Sequence, residues 1–102
     1  MRFSEIEKKA LFAAIHAISY PVFLFGSRTD DLKKGGDIDL LILTRGLSSD
    51  ARLDLSIQVT TSFRSICDEK IDVIVFDEDA LTPENQAFLN SIERIRLFPE
   101  KP

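Results

Sequence analysis

Pro21 to Leu43, PVFLFGSRTDDLKKGGDIDLLIL, is the stretch on which the fold turns. It reads as a buried strand over Val22 to Phe25, then a glycine-led polar turn at Gly26-Ser27-Arg28. A polar connection follows, and a second buried strand over Ile38 to Leu43. Neither strand alternates polar with apolar residues, as expected where both faces of a sheet are covered. Asp37 and Asp39 open the second strand. Side chains two apart in an extended chain point to the same face, so the two carboxylates project together, about 6 to 7 Å apart. At an effective dielectric of about 20 they repel by about 3 kcal/mol. A fold that tolerates this binds a cation there or leaves the site open to water.

Working outward, Lys70-Ile71-Asp72-Val73-Ile74-Val75-Phe76 is another apolar strand with an aspartate near its start. Between it and Ile38–Leu43 lies a helical pattern, and a strand–helix–strand unit joins parallel neighbours with a right-handed crossover. Asp72 then falls beside Asp37 and Asp39. Three carboxylates at one sheet end make an oxygen-rich pocket suited to Mg²⁺ or Mn²⁺. For the Gly26-Ser27 turn to reach that end, Val22–Phe25 must run antiparallel to the other two strands. Gly26 permits close backbone approach, and Ser27 with the N–H groups after it suits a phosphate at a helix start. The expected class is α/β (α+β): a small mixed sheet flanked by helices.

Gly26-Ser27, nine residues, then Asp37-Ile38-Asp39-Leu40 and a distant Asp72 resemble the signature of the DNA polymerase beta-like nucleotidyltransferase superfamily. The size resembles its minimal nucleotidyltransferase (MNT) branch, and the likeness covers roughly Val22 to Phe98. Two features depart from the pattern: Asp31 stands near the place of a second glycine, and Gly36 replaces a serine before the first aspartate. The connection is also about a residue shorter. The resemblance implies that Asp37, Asp39 and Asp72 are catalytic and bind two Mg²⁺ ions (Mn²⁺ as a substitute). It implies that Gly26, Ser27 and Arg28 hold the phosphates of an NTP, with ATP the expected substrate. It also implies a HEPN-domain partner, the chain being the antitoxin that transfers AMP to that partner's hydroxyl. The alternative is an antitoxin of the same fold that acts by contact alone. The blandest reading makes the aspartates solvent-facing polar residues at strand starts.

The 102 residues suffice for one domain, residues 1–102, with no room for a separate acceptor domain. A net charge of −4 argues against nucleic acid as the main partner. One cysteine, Cys67, excludes an internal disulfide and suits a reducing cytoplasm. No apolar run approaches the length of a membrane span, and the N-terminus does not read as a signal peptide.

Elsewhere, Ser4-Glu5-Ile6-Glu7 reads as a capping box opening a helix that carries Ile6, Ala10, Ala13 and Ala17 and ends near Tyr20-Pro21. His16 in that helix reads as a surface residue. Ser27–Lys34 reads as a short helix stopped by Gly35-Gly36. A second long helix, capped by Ser49, runs to about Cys67 with Leu55, Val59, Phe63 and Ile66 facing the core and Leu53 and Ile57 beside them. Asp77-Glu78-Asp79 reads as a solvated loop. Thr82-Pro83-Glu84 starts a last helix, and Ile95–Phe98 peels off as a short edge strand.

Overall fold

A computed structural model of the chain describes residues 3–26 and 37–98. In chain order these form α1 (Glu5–Ile15), β1 (Val22–Phe25), β2 (Ile38–Thr44), α2 (Ser49–Arg64), β3 (Ile71–Asp77), α3 (Pro83–Ser91) and β4 (Arg94–Phe98). The strands make one sheet in the order β3-β2-β1-β4. β2 and β3 are parallel, and β1 is antiparallel to both its neighbours, β2 and β4. This is the mixed sheet expected from the sequence. The expected short helix from Ser27 to Lys34 lies outside the described residues, as do Ser27 and Arg28 themselves.

Alternation along the central strands separates two cores. Val22, Leu24, Ile38, Leu40 and Ile42 point to one face, where they pack with Ala10, Leu11, Ala14 and Ile15 of α1 and Val59 and Phe63 of α2. Phe63, Leu24, Leu40 and Ile42 are wholly buried there, each contributing about 1.5–3 kcal/mol of apolar transfer free energy. Phe23, Phe25, Leu41 and Leu43 point to the other face, against Phe88, Leu89 and Ile92. The Phe88 ring meets Phe25 and Phe76 edge-on, at 5.6 and 5.9 Å between centroids. α3 has no fully buried residue, so this second face is thinly covered. Toward the start of β2 that cover reaches Phe25, while Asp39 stays partly exposed and Asp72 exposed.

The local signals account for the helix starts. Ser4 and Glu7 bond reciprocally across the first turn of α1 (Ser4 N–H to Glu7 Oε1 2.8 Å, Glu7 N–H to Ser4 Oγ 3.2 Å). Thr82 caps α3 through Asn85 N–H at 3.1 Å, with Pro83 in the first turn. The cap of α2 is Ser48, one residue earlier than the sequence suggests, because its hydroxyl accepts from Ala51 N–H.

Three other boundaries differ from expectation. α1 stops at Ile15 rather than near Tyr20, since Ile18 N–H turns back to the Ile15 carbonyl and the chain unwinds to lay Ile18 and Tyr20 on the core. α2 closes at Arg64, and Cys67, buried as expected, follows a turn held by Phe63 O. Ile6, Leu53 and Ile57 are more than half exposed: the buried arcs of both helices are narrower than their apolar periodicity implies.

Asp77 is the clearest correction. Far from lying in a solvated loop, it ends β3 and is only 3 % exposed. The parallel register sets it beside Thr44. Its carboxylate accepts from Thr44 Oγ1 (2.7 Å), Leu47 N–H (2.8 Å), Asp79 N–H (3.0 Å) and Gly46 N–H (3.1 Å). It thereby ties the β2–α2 turn to the end of β3. Glu78 and Asp79 are exposed, as expected, and pair with Arg45.

Candidate active site

The strand registers place the acids. Asp39 pairs across the sheet with Phe25 on one side and Asp72 on the other, and Phe25 pairs in turn with Arg94. Direct cross-strand partners share a face and stand about 5 Å apart. Arg94, Phe25, Asp39 and Asp72 therefore form one row across four strands, in which Phe88 of α3 covers Phe25 and the charged members reach water. Asp72 is exposed and Asp39 partly so.

Asp37 lies just before β2, where Ile38 N–H bonds the Lys70 carbonyl at 3.1 Å and aligns the two strand starts. Its Oδ2 is 3.3 Å from the Lys70 ammonium. Among the described residues no group of three or more His, Cys, Asp or Glu side chains is arranged to hold a metal ion. Asp39 and Asp72 stand side by side, while Asp37 is turned to a lysine.

The electrostatics record this crowding. Burial pushes the Asp39 carboxyl above the usual carboxylate range, the neighbouring charges of Asp72 and Asp37 push it further, and Lys70 pulls the other way. The Lys70 ammonium is held above its ordinary value by the hydrogen bond to Asp37 and then by the charges of Asp37, Asp72 and Asp39. The site is thus an oxygen-rich anionic pocket with one internal counter-cation. Its donor set is of the hard, carboxylate type that suits Mg²⁺ or Mn²⁺. A cation there would relieve the repulsion that Asp39 feels.

Gly26, at the end of β1, is built into the same corner. Its φ is +79°, and a Cβ placed on it would run into Oδ2 of Asp39. Gly46 has nearly the same φ, +74°, but a Cβ there would meet nothing within 4 Å. The pair separates two effects. Gly46→Ala should cost only the left-handed conformation, about 1–2 kcal/mol. Gly26→Ala should cost more, because it also displaces the Asp39 carboxylate. Denaturant melts of the two variants test this, and equal losses would mean that Asp39 moves aside freely.

A groove of about 290 Å³ between the end of α1 and α2 is lined by Ala13, Ala17, Tyr20 and Gln58 among others. It lies on the helix-covered side of the sheet and contains none of the acids, so it is not the chemical site. Lys70, Arg94 and Arg96 are charged residues of this region that the motif reading passed over. Lys70 was within reach, since it stands two residues before Asp72 and so on the same side of the strand. No described helix is long and apolar enough to cross a membrane.

A search of the curated proteins finds no match. The family profile "Polymerase beta, Nucleotidyltransferase" matches residues 11–95, which takes in both central strands, the α2 crossover, Asp37, Asp39 and Asp72, and the start of β4. With that match over most of its length and the acid-bearing mixed sheet just described, the chain belongs to the polymerase beta-like nucleotidyltransferase superfamily.

Proposed function

We propose that the chain is a metal-dependent nucleotidyltransferase of the minimal type, transferring AMP from ATP to a hydroxyl of a HEPN-domain partner protein in the cytoplasm. The observation that carries this reading is the pairing of Asp39 with Asp72 on adjacent parallel strands, against Gly26, in a chain of this family. In the reaction the acceptor oxygen forms a bond to the α-phosphorus, the bond from that phosphorus to pyrophosphate breaks, and the acceptor hydroxyl gives up its proton.

Asp37, Asp39 and Asp72 would hold the Mg²⁺ ions, which supply Lewis-acid stabilisation of the attacking and departing oxygens. Asp39, central and partly buried, anchors the site. Asp72, the exposed acid, faces the acceptor side and helps to activate its hydroxyl. Asp37 would join them on giving up its contact with Lys70. Gly26, with Ser27 and Arg28, holds the phosphates, and Gly26 keeps the backbone thin beneath Asp39. Acceptor positioning is worth about 7–11 kcal/mol of a barrier, and a docked partner would provide it.

The contact-only alternative draws on the Asp37–Lys70 ion pair, in which one acid of the three is already neutralised. Incubating the chain with ATP, Mg²⁺ and a HEPN-domain partner, then measuring intact masses, separates the two. A partner heavier by one AMP, only in the presence of Mg²⁺ and intact Asp39, is the expected result. A stable complex with no added mass would favour contact alone.

A further inference from the structure

Arg94 and Arg96 lie on the edge strand β4, opposite Phe25 and Phe23 respectively, so both project on the face that carries Asp39 and Asp72. Their guanidinium carbons stand 4.8 and 5.5 Å from the centroid of the same ring, that of Phe23. Among the described residues neither guanidinium has an acid partner, unlike Arg45, which reaches Glu78 and Asp79. With both in place Phe23 is buried, and their like charges repel across the ring they share. Arg94 is moreover in register with the acid pair, two strands or roughly 10 Å from Asp39. Between them lies Phe25, buried with the Phe88 ring edge-on against it, so a bound tail reaches from one to the other past the end of β1.

We infer that Arg94 and Arg96 form a phosphate-binding platform on β4 that takes the polyphosphate of the nucleotide whose α-phosphate sits at the Asp39–Asp72 end. The inference rests on the nucleotidyltransferase reading above and adds to it a second anchoring point from the opposite edge of the sheet. A guanidinium offers paired N–H donors that match two phosphate oxygens, and it gives up its stacking on a phenylalanine ring at small cost. The two arginines bind the charged tail and not the base or ribose, so they discriminate ATP from AMP. They touch no reacting atom. Their part is to set the tail, and with it the departing pyrophosphate, in line with the acids.

Isothermal titration of the whole chain with Mg-ATP and with AMP tests this, comparing the unmodified protein with Arg94→Gln, Arg96→Gln and Asp39→Asn. Each arginine variant should bind Mg-ATP about ten times more weakly, the value of one charge-assisted hydrogen bond, with AMP affinity held within about two-fold. Arg94→Met, which keeps apolar cover on Phe23 and lacks the charge, should repeat the loss and guards against a variant that misfolds. Unchanged Mg-ATP affinity in the arginine variants, with loss in Asp39→Asn, would overturn the platform and leave the transferase reading standing. Equal losses for ATP and AMP would also overturn it, as the mark of a general disturbance. If the unmodified chain binds no Mg-ATP, the transferase reading falls and the platform falls with it.

Discussion

Asn in place of Asp39 should slow nucleotidyl transfer by about a hundredfold or more and leave the domain as stable as before, or more so. Both parts follow from where the carboxylate sits. It stands beside Asp72 in register, feels Asp37 as well, and is partly buried. Its proton is therefore held more tightly in the folded chain than in the unfolded one. A raised carboxyl contributes most to stability below its unfolded value of 3.8 and costs stability as pH rises through the folded value. At neutral pH Asp39 is on the costly side, and Asn removes the charge while keeping the shape. Water screens a half-open site and Lys70 offsets part of the repulsion, so the gain is small. The functional loss is large: forfeiting a metal's stabilisation of transition-state charge, several kcal/mol, slows transfer by about 10²–10⁴-fold. Thermal melts with and without Mg²⁺ give a readout that needs no activity. Mg²⁺ should raise the melting temperature of the unmodified chain and leave the variant unmoved. A variant that melts more than about 5 °C lower would make Asp39 a structural residue and remove the metal reading's support.

How far the sequence alone reaches is visible in single residues. The apolar blocks Val22–Phe25 and Ile38–Leu43 read correctly as doubly covered strands, because burial on both faces leaves no alternation to misread. The parallel pairing of β2 with β3 follows from the helix between them, and the placing of Asp72 opposite Asp39 follows from that pairing. What fails depends on distance in the chain. Leu53 and Ile57 continue an apolar period, yet α2 turns only Val59, Phe63 and their near neighbours inward. Periodicity fixes a direction around a helix without fixing the width of the buried arc. Arg94 and Arg96 acquire meaning only once β4 docks antiparallel on β1, a pairing between segments some seventy residues apart. Asp77 looked like the first of three solvated acids, because the donors that claim it sit on a turn thirty residues earlier.

Asp77 also separates a structural acid from a chemical one, since its removal should do the opposite of removing Asp39. Burial alone would push its carboxyl up, but the hydrogen bonds from Leu47, Thr44, Asp79 and Gly46 outweigh burial and hold it at about 2. With a depressed carboxyl the sign reverses: its contribution is fully present above 3.8 and is lost as pH falls toward about 2. Asp77→Ala removes the acceptor of four donors and leaves the hydroxyl of the wholly buried Thr44 only the long 3.4 Å contact to the Phe76 carbonyl. Asp77→Asn replaces one accepting oxygen with a donating amide, so half of those donors meet another donor. Leaving one buried and three part-buried donors without their acceptor costs about 1–3 kcal/mol, and in a domain of this size each variant should melt roughly 10 °C lower. Glu78→Gln, which loses only an exposed 3.6 Å pair with Arg45, should melt within about 2 °C of the parent. Acid titration completes the test: the parent should lose stability between about pH 4 and pH 2, and Asp77→Asn should show a shallower decline over that window. Asp77 stands at the opposite end of β3 from Asp72, so the folded fraction of Asp77→Asn should keep its Mg-ATP affinity. A variant that melts with the parent yet no longer binds Mg-ATP would reverse the roles assigned to the two ends of the sheet.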